Sequence, residues 1–357
     1  MYPVNHEFFN ILGNNVDLTV YQFGTHPQYH KHWSVDKFEA ERRSYEIKVF
    51  GSGPVTFALQ AKPNFLKVLK NDKPDIVVSI AFWLPSLYAA IFKHIFDYKF
   101  LVSTDAIYET EKNLFFLKKK IRNIICYRSD ALISASDMTT EYLKQMAPKA
   151  EIFQSYQTVN TKAWMEDMET LPSKDLLRKE LNLPADKTIL LGVGNFIKLK
   201  NWYSAFDVLK ELKNVYFILI GSGKLEEEYI KYIETNELQL NINIIGRKEG
   251  LELKKYFKVS DIFLFPTLSD TFGFVVPEAL STGLPVICSK LSGASSLIKN
   301  GYNGFIIDPR NDYSEEIQNT VKHLTEMHNN AQNSALGLTF EKRAEEFYSI
   351  FESVMKK

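Results

Sequence analysis

Short apolar stretches with strand character alternate with helix-length stretches along the whole chain. This order constrains the fold more than any single motif. Strand candidates in the first half are 17–23, 45–50, 75–82, 99–105, 131–136 and 151–156, and segments such as 62–69, 113–126 and 139–145 read as helices between them. Parallel strands need long crossovers, so strand–helix alternation predicts parallel sheets with helices packed on their faces. The series restarts after 174, with strands at 188–195, 216–221, 242–246, 261–266, 286–289 and 304–308. Helices fit 202–212, 225–238, 251–259, 277–282 and 295–299. The predicted fold class is α/β, with two doubly wound, Rossmann-like domains at 1–157 and 174–335. Residues 158–173 have a poor hydrophobic pattern and read as a linker, with Pro172 ahead of a new helix at 174–181. Such domains usually open with a strand, whereas this chain opens with residues 1–6 and a helix-like 7–12. The first strand of the first domain is therefore expected to be missing, or the recorded start to lie inside the domain. The tail, 341–357, is amphipathic, with Ala344, Phe347, Tyr348, Phe351, Val354 and Met355 near one face. It is expected to pack on an existing domain, crossing back to the first being one arrangement.

The densest local signal is 269–287, from Ser269-Asp270-Thr271-Phe272-Gly273 through Pro277-Glu278 to Gly283-Leu284-Pro285-Val286-Ile287. A strand runs into a glycine loop, and a proline stands just before a helix-forming run. Proline suits a first helical turn, where its missing N–H has no partner anyway. Unpaired N–H groups and a partial positive charge at a helix start favour a phosphate. Gly273 allows close backbone approach to a ligand. Glu278 lies in the first turn, where the helix field is expected to keep it ionised. An ionised carboxylate only accepts hydrogen bonds, which suits a vicinal diol such as a ribose. The plainer reading is a strand–glycine–helix turn of any open α/β sheet, with the acids as caps; on spacing alone the two stand level. Convergence tips the balance. Asp105, Gly194, Gly221, Gly246 and the Asp270 loop all fall at strand ends, where open α/β sheets bind ligands, and would face one edge of an interdomain cleft.

Composition excludes some classes. With 43 basic and 43 acidic residues the net charge is zero, which argues against a general nucleic-acid binder. Cys126 and Cys288 sit far apart in apolar segments and read as reduced core thiols of a cytoplasmic protein. Residues 1–20 lack the basic-then-apolar pattern of a signal peptide, and none is expected. The run 76–92 is nearly long enough for a membrane span, but Pro85 interrupts it and Ser79 and Ser86 dilute it. A buried strand at 76–82 followed by a buried helix from Leu84 accounts for it better.

Taken together, these residues resemble the retaining glycosyltransferases of family 4, which have the GT-B fold. Asp270-x7-Glu278, with Phe272-Gly273 before the helix and Gly283-Leu284-Pro285-Val286 after it, resembles the family's E-x7-E region. Gly192-Val193-Gly194, Lys200-Asn201, Gly221-Ser222-Gly223, Asp261-Ile262-Phe263, Ser292-Gly293-Ala294 and Gly301-Tyr302-Asn303-Gly304-Phe305 continue the likeness. It is strong over 188–309 and weaker before 160. The resemblance implies that Glu278 binds ribose hydroxyls of a nucleotide sugar and that Asp270 touches the donor sugar. It places the Phe274 and Val275 N–H groups and Lys200 on the diphosphate, and Gly246 and Arg247 beside the base. Gly194, Asn195, Gly221, Phe272 and Gly273 complete the donor set. Asp105 falls where the family has an acidic or histidine group near the reacting carbon, and we assign it to positioning or polarisation. Asp105, Lys200 and Asp270 are the catalytic candidates. Three departures stand out. Asp270 is one carbon shorter than the usual Glu. Asn195 falls where an arginine is expected and carries no charge. The first strand and its glycine loop are not visible.

The implied activity is transfer of a sugar from a nucleotide-sugar donor, expected to be UDP-linked, to a saccharide or lipid-linked saccharide acceptor in bacterial surface polysaccharide or glycolipid synthesis. The alternatives are a GT-B partner subunit without catalysis, favoured by Asn195 and by the missing first strand, and a nucleotide-sugar epimerase. A glycosidase pair is disfavoured, because it needs a protonated carboxylic acid. No cofactor is expected, and no Asp-x-Asp motif at a strand end calls for a metal. His26, His30 and His32 flank Pro27 without an acidic partner; they read as surface histidines or an acceptor-side loop with Tyr29 and Trp33. His6 and Trp33 are the acceptor candidates. Segment 113–128 sets Leu114, Phe115, Leu117, Ile121, Ile124 and Ile125 beside Lys118, Lys119, Lys120 and Arg122. It reads either as a half-buried helix with a solvated basic face or as a peripheral membrane contact at the inner face of the cytoplasmic membrane.

Overall fold

The computed structural model describes residues 3–25, 43–51, 54 and 64–357. The chain divides into two compact units, Met1–Asn160 with Phe340–Lys357, and Thr161–Thr339.

In chain order the first unit contains helix α1 (Pro3–Leu12), strands β1 (Thr19–Phe23) and β2 (Glu46–Phe50), α2 (Phe65–Asp72), β3 (Ile76–Ile80), α3 (Leu84–Phe96) and β4 (Lys99–Thr104). Then come α4 (Tyr108–Glu111), α5 (Phe116–Arg128), β5 (Ala131–Ser134), α6 (Asp137–Met146) and β6 (Ile152–Gln154). Strands β3-β4-β5-β6 form a parallel sheet, and β1 and β2 pair in parallel as a separate ribbon. A parallel sheet is covered on both faces, and alternation along β4 shows how. Phe100 and Val102 pack with Leu132, Phe65 and Leu69 on one face. Leu101 packs on the other face with Ile133, Phe8, Phe340, Phe347 and Val354. Helix α1 lies on this second face, and its Phe8 meets Phe347 edge-on at 5.3 Å.

The apolar run 76–92 resolves into a strand, a tight turn and a helix. Ala81 takes a left-handed φ of 70° in the turn. Ser86 Oγ donates to the Ala81 carbonyl at 3.0 Å and accepts the Trp83 N–H at 3.1 Å. The two serines that dilute the run therefore close its corner, since Ser79 Oγ lies 2.5 Å from Ser86 Oγ. Among the described residues no helix is long and apolar enough to cross a membrane. Both cysteines are buried and free.

The second unit opens with α7 (Thr161–Thr170) and α8 (Lys174–Glu180), then β7 (Thr188–Val193), a 3₁₀ turn (Lys198–Lys200), α9 (Trp202–Lys210), β8 (Val215–Ile220), α10 (Glu226–Thr235) and β9 (Ile242–Ile245). It continues with α11 (Gly250–Val259), β10 (Ile262–Phe265), α12 (Val275–Ser281), β11 (Val286–Ser289), a 3₁₀ segment (Gly293–Leu297), β12 (Gly304–Ile307), α13 (Ser314–Lys322) and α14 (Leu324–Leu336). The expected linker 158–173 is mostly helix α7. Its apolar content is sparse, but Met168 is buried and Trp164 meets Phe257 of α11 edge-on at 5.1 Å. The six strands form one parallel sheet in the order β12-β11-β10-β7-β8-β9. Asp261 ties it to α8: its carboxylate accepts the Ile189 N–H at 2.6 Å, Lys174 Nζ at 2.6 Å and Arg178 Nη2 at 2.7 Å.

The last helix, α15 (Phe340–Met355), belongs to the first unit. Phe340, Ala344, Phe347, Ile350 and Val354 form its buried stripe, at the spacing of one helical face. Ile350 joins the face expected from sequence, and Met355 leaves it for solvent.

Candidate functional site

In the second unit the chain builds outward from β7 to β8 and β9, then returns to lay β10, β11 and β12 on the other side. Neighbouring strands β7 and β10 therefore lead their crossovers in opposite directions, and the crevice beyond their carboxyl ends is where such sheets bind ligands. Gly194 and Asn195 follow β7, Gly221 follows β8, Gly246 and Arg247 follow β9, and the Asp270 loop follows β10.

Two of these connections are bolted together. The Leu199 carbonyl accepts Thr267 Oγ1 at 2.8 Å and the Leu268 N–H at 2.7 Å. Lys200 is thereby aimed at the β10 loop, where its Nζ lies 2.6 Å from Asp270 Oδ2 and 4.9 Å from the centre of the Phe265 ring. Asp270 Oδ1 accepts the Phe272 N–H at 3.3 Å. Two candidates 70 positions apart thus form one ion pair with both heads largely buried. An ammonium has three donors, so Lys200 can keep Asp270 and still serve a phosphate.

The loop itself is strapped to the segment after β11. Asp270 N–H donates to the Leu291 carbonyl at 3.2 Å, and the Phe272 carbonyl accepts the Ala294 N–H at 2.8 Å and Ser292 Oγ at 2.5 Å. The Phe272 ring is buried, so that residue offers a ligand only its backbone. Gly273 has φ 99°, and a Cβ there would stand 2.6 Å from the Phe265 ring. Only glycine turns this corner into α12, whose first N–H groups, Phe274 and Val275 among them, have no intrahelical acceptor.

Glu278 departs from the expected ionised state, which removes the ground on which a glycosidase pair was disfavoured. Burial pushes its carboxyl up to about 8, and only the charge of Lys254 pulls it back. The field of a helix end fades within a turn. Glu278 is the fourth residue of a seven-residue helix, half-buried, and there desolvation outweighs the field.

The remaining donor candidates divide. Gly221 is required by packing, since a Cβ would fall 1.9 Å from the Gly194 carbonyl oxygen, whereas Gly246 faces open space. Asn195 is exposed and its carbonyl accepts the Ile197 N–H at 3.0 Å. Arg247 is half-exposed and paired with Glu249 at 2.5 Å. Lys198, three positions on from Asn195, is exposed.

In the first unit Asp105 follows β4 and is half-buried. Sequence reasoning missed its neighbour Arg343 on α15. The Arg343 guanidinium lies 4.5 Å from the Phe8 ring centre and 5.6 Å from that of Phe347. Its Nε is buried without a hydrogen-bond partner. Burial lowers it to about 10, opposed by the charges of Glu346 and Asp105. Glu346 is itself held by Ser155 Oγ at 2.6 Å. His6, an acceptor candidate, is only 2% exposed, with its Nδ1 2.6 Å from Tyr45 Oη. It is an interior histidine, not a ring presented to a ligand. Trp33, with His26, Tyr29, His30 and His32, lies outside the described residues. Among the described residues no group of three His, Cys, Asp or Glu side chains could hold a metal.

Residues 173–335 match the family described as Glycosyl transferases group 1. Curated relatives include an uncharacterized glycosyltransferase of Methanocaldococcus jannaschii, 28% identical over 42% of this chain and 42% of its own length. Another is the UDP-Gal:alpha-D-GlcNAc-diphosphoundecaprenol alpha-1,3-galactosyltransferase of Escherichia coli, 27% identical over 50% of this chain and 48% of its own. The chain thus spans about half the length of these relatives. Among solved structures, a sucrose-phosphate synthase from Thermosynechococcus elongatus superposes with a TM-score of 0.76 at 16% identity, covering 98% of this chain and 92% of that one. Anabaena HepE in complex with UDP gives a TM-score of 0.74 at 16% identity, covering 94% of this chain and 100% of that one. The fold is GT-B, with two Rossmann-like halves.

Proposed function

We propose that the chain is a retaining glycosyltransferase of family 4 that moves a sugar from a UDP-linked donor to a saccharide or lipid-linked saccharide acceptor, in surface polysaccharide or glycolipid synthesis. The observation that carries this reading is the meeting of Lys200, Asp270 and the start of α12 at the switch point of the second sheet. Cleaving the bond between the anomeric carbon and the diphosphate leaves positive charge on the sugar and negative charge on the phosphates. Donors already aimed at that negative charge are usually the largest catalytic term. Lys200 and the Phe274 and Val275 N–H groups supply them here, and Glu278 takes the ribose. Asp270 orients the sugar while holding Lys200, and Asp105 positions or polarises the reacting carbon. The Escherichia coli relative, a UDP-Gal galactosyltransferase, and the neighbouring HepE complex with UDP support a uridine donor.

The test is thermal stability with UDP, GDP and ADP. Ligand at a hundred times its dissociation constant adds about 2.7 kcal/mol. A shift of several degrees with UDP alone, lost in Glu278→Ala, is expected. No shift with any nucleotide would sink the donor assignment.

Helix α5 supports a second part of the proposal, contact with an anionic membrane on the cytoplasmic side. Phe115, Phe116 and Tyr127 are 73%, 75% and 89% exposed, beside exposed Lys118, Lys119 and Lys120. Arg122 instead pairs with Glu111. Each lysine near an anionic surface adds about 1 kcal/mol. Changing the three lysines to glutamine should release the protein from phosphatidylserine vesicles in co-sedimentation; unchanged binding would remove the membrane contact. The rival reading, a partner subunit without catalysis, draws on the uncharged, exposed Asn195. UDP release that depends on added acceptor separates the two.

A further inference from the structure

Helix α7, where the sequence reads as linker, carries two side chains with an unexpected task. Trp164 presents its ring to Lys254 of α11, whose Nζ lies 4.5 Å from the ring centre. Asp167, one turn further along α7, forms an ion pair with the same Nζ. The Lys254 head is mostly buried, and α7 packs against both α11 and α12. A lysine on a surface helix ordinarily extends its head into water. This one is turned inward and held by a ring and a carboxylate, within electrostatic reach of Glu278 on α12.

We propose that Lys254 is a positioning residue of the nucleotide site: clamped by Trp164 and Asp167, it keeps a fixed cation near Glu278 so that the carboxylate forms as the ribose hydroxyls arrive. The proposal rests on the assignment of Glu278 to the ribose. Other groups around α12 do not supply that charge. Asp167 on α7 is an anion, and His328 on α14 packs against Gly283, where burial and Lys174 and Lys258 outweigh Asp261 and lower its affinity for a proton. Cys288 on β11 stays a neutral thiol because it is buried. Strand β10 and the 3₁₀ segment Gly293–Leu297 carry no charged side chain. Burial holds the proton on Glu278 in the free protein, and Lys254 opposes it. Removing the cation makes that proton harder to lose, and a ligand that needs the carboxylate must then bear the added cost.

Calorimetric titration with UDP tests this on the parent, Lys254→Met, Lys254→Arg, Glu278→Gln and the Lys254→Met/Glu278→Gln double variant. Lys254→Met should weaken UDP about tenfold near pH 7 for each pKa unit the cation supplies. The loss should shrink by about pH 9, where the proton leaves unaided. Lys254→Arg should bind as the parent does, and the double variant should be no weaker than Glu278→Gln. A loss in Lys254→Met that is equal at both pH values reports packing alone and overturns the proposal, as does parental affinity at both. Parental affinity in Glu278→Gln overturns the ribose assignment instead. Absence of UDP binding in the parent removes the nucleotide site and this inference with it.

Discussion

Glu278 holds a proton that a helix start should have expelled, and the consequence reaches stability as well as binding. Its carboxyl is ordinary in the unfolded chain and raised to about 8 in the folded one. The folded chain therefore keeps a proton that the unfolded chain has lost, and the associated stability is present at acid pH and lost as pH rises toward 8. Glu278→Gln, which cannot ionise, should gain on the parent by a few degrees in melting temperature between about pH 5 and about pH 8. A difference that stays flat across that range would mean an ionised Glu278. At this scale the sequence carried residue types well and environments poorly. The Asp270–Glu278 spacing, Gly273 and Lys200 could be placed at strand ends from pattern alone. That Lys200 and Asp270 pair, that His6 is interior and that Phe272 turns inward depend on packing between segments far apart in the chain.

At the scale of elements, the loops after β7 and β8 pack so closely that one hydrogen decides the residue. Gly221 has φ 156°, and a Cβ would reach within 1.9 Å of the Gly194 carbonyl oxygen. Backbone cannot yield as a flexible side chain does, so Gly221→Ala should cost about 1–3 kcal/mol. Chemical denaturation would register it as a lower midpoint at constant slope, and a parental midpoint would contradict the packing. The same substitution at Gly246, which faces open space, should leave stability nearly unchanged. The strands were legible because continuous Ile, Leu, Val and Phe runs such as β8 and β10 can only be buried. Helix α7 was not, because part of its anchoring is a charge: Trp164 and Asp167 hold Lys254, a partner that no hydrophobic period reveals. The segment expected as a helix at 295–299 is a 3₁₀ turn at Gly293–Leu297, where Ser292 Oγ caps the Ala294 N–H at 3.2 Å.

At the scale of the whole molecule, the first unit is discontinuous in sequence and the second is not. Helix α15 covers Leu101, Ala131 and Ile133 of the first sheet with Phe340, Phe347, Ile350 and Val354. Fully burying each of the four large side chains contributes about 1.5–3 kcal/mol. A chain cut after residue 339 should therefore lose the first unit to proteolysis while the second remains a resistant fragment that answers to UDP. Equal protection of both halves would contradict the assignment of α15. The amphipathic tail was readable from its period, but not the sheet that receives it, because that sheet lies some two hundred residues upstream.

This layout also bears on the birth of the protein. Domains usually fold as they leave the ribosome, amino-terminal part first. Here one face of the first sheet emerges with only α1 to cover it, and the rest of its cover is translated only after the entire second unit. The second unit, whose residues arrive in one unbroken stretch, can reach its native state while the first still awaits its lid. During that interval the partly covered Leu101, Ala131 and Ile133 are a surface for chaperones to shield, and slow codons ahead of residue 340 would lengthen the wait.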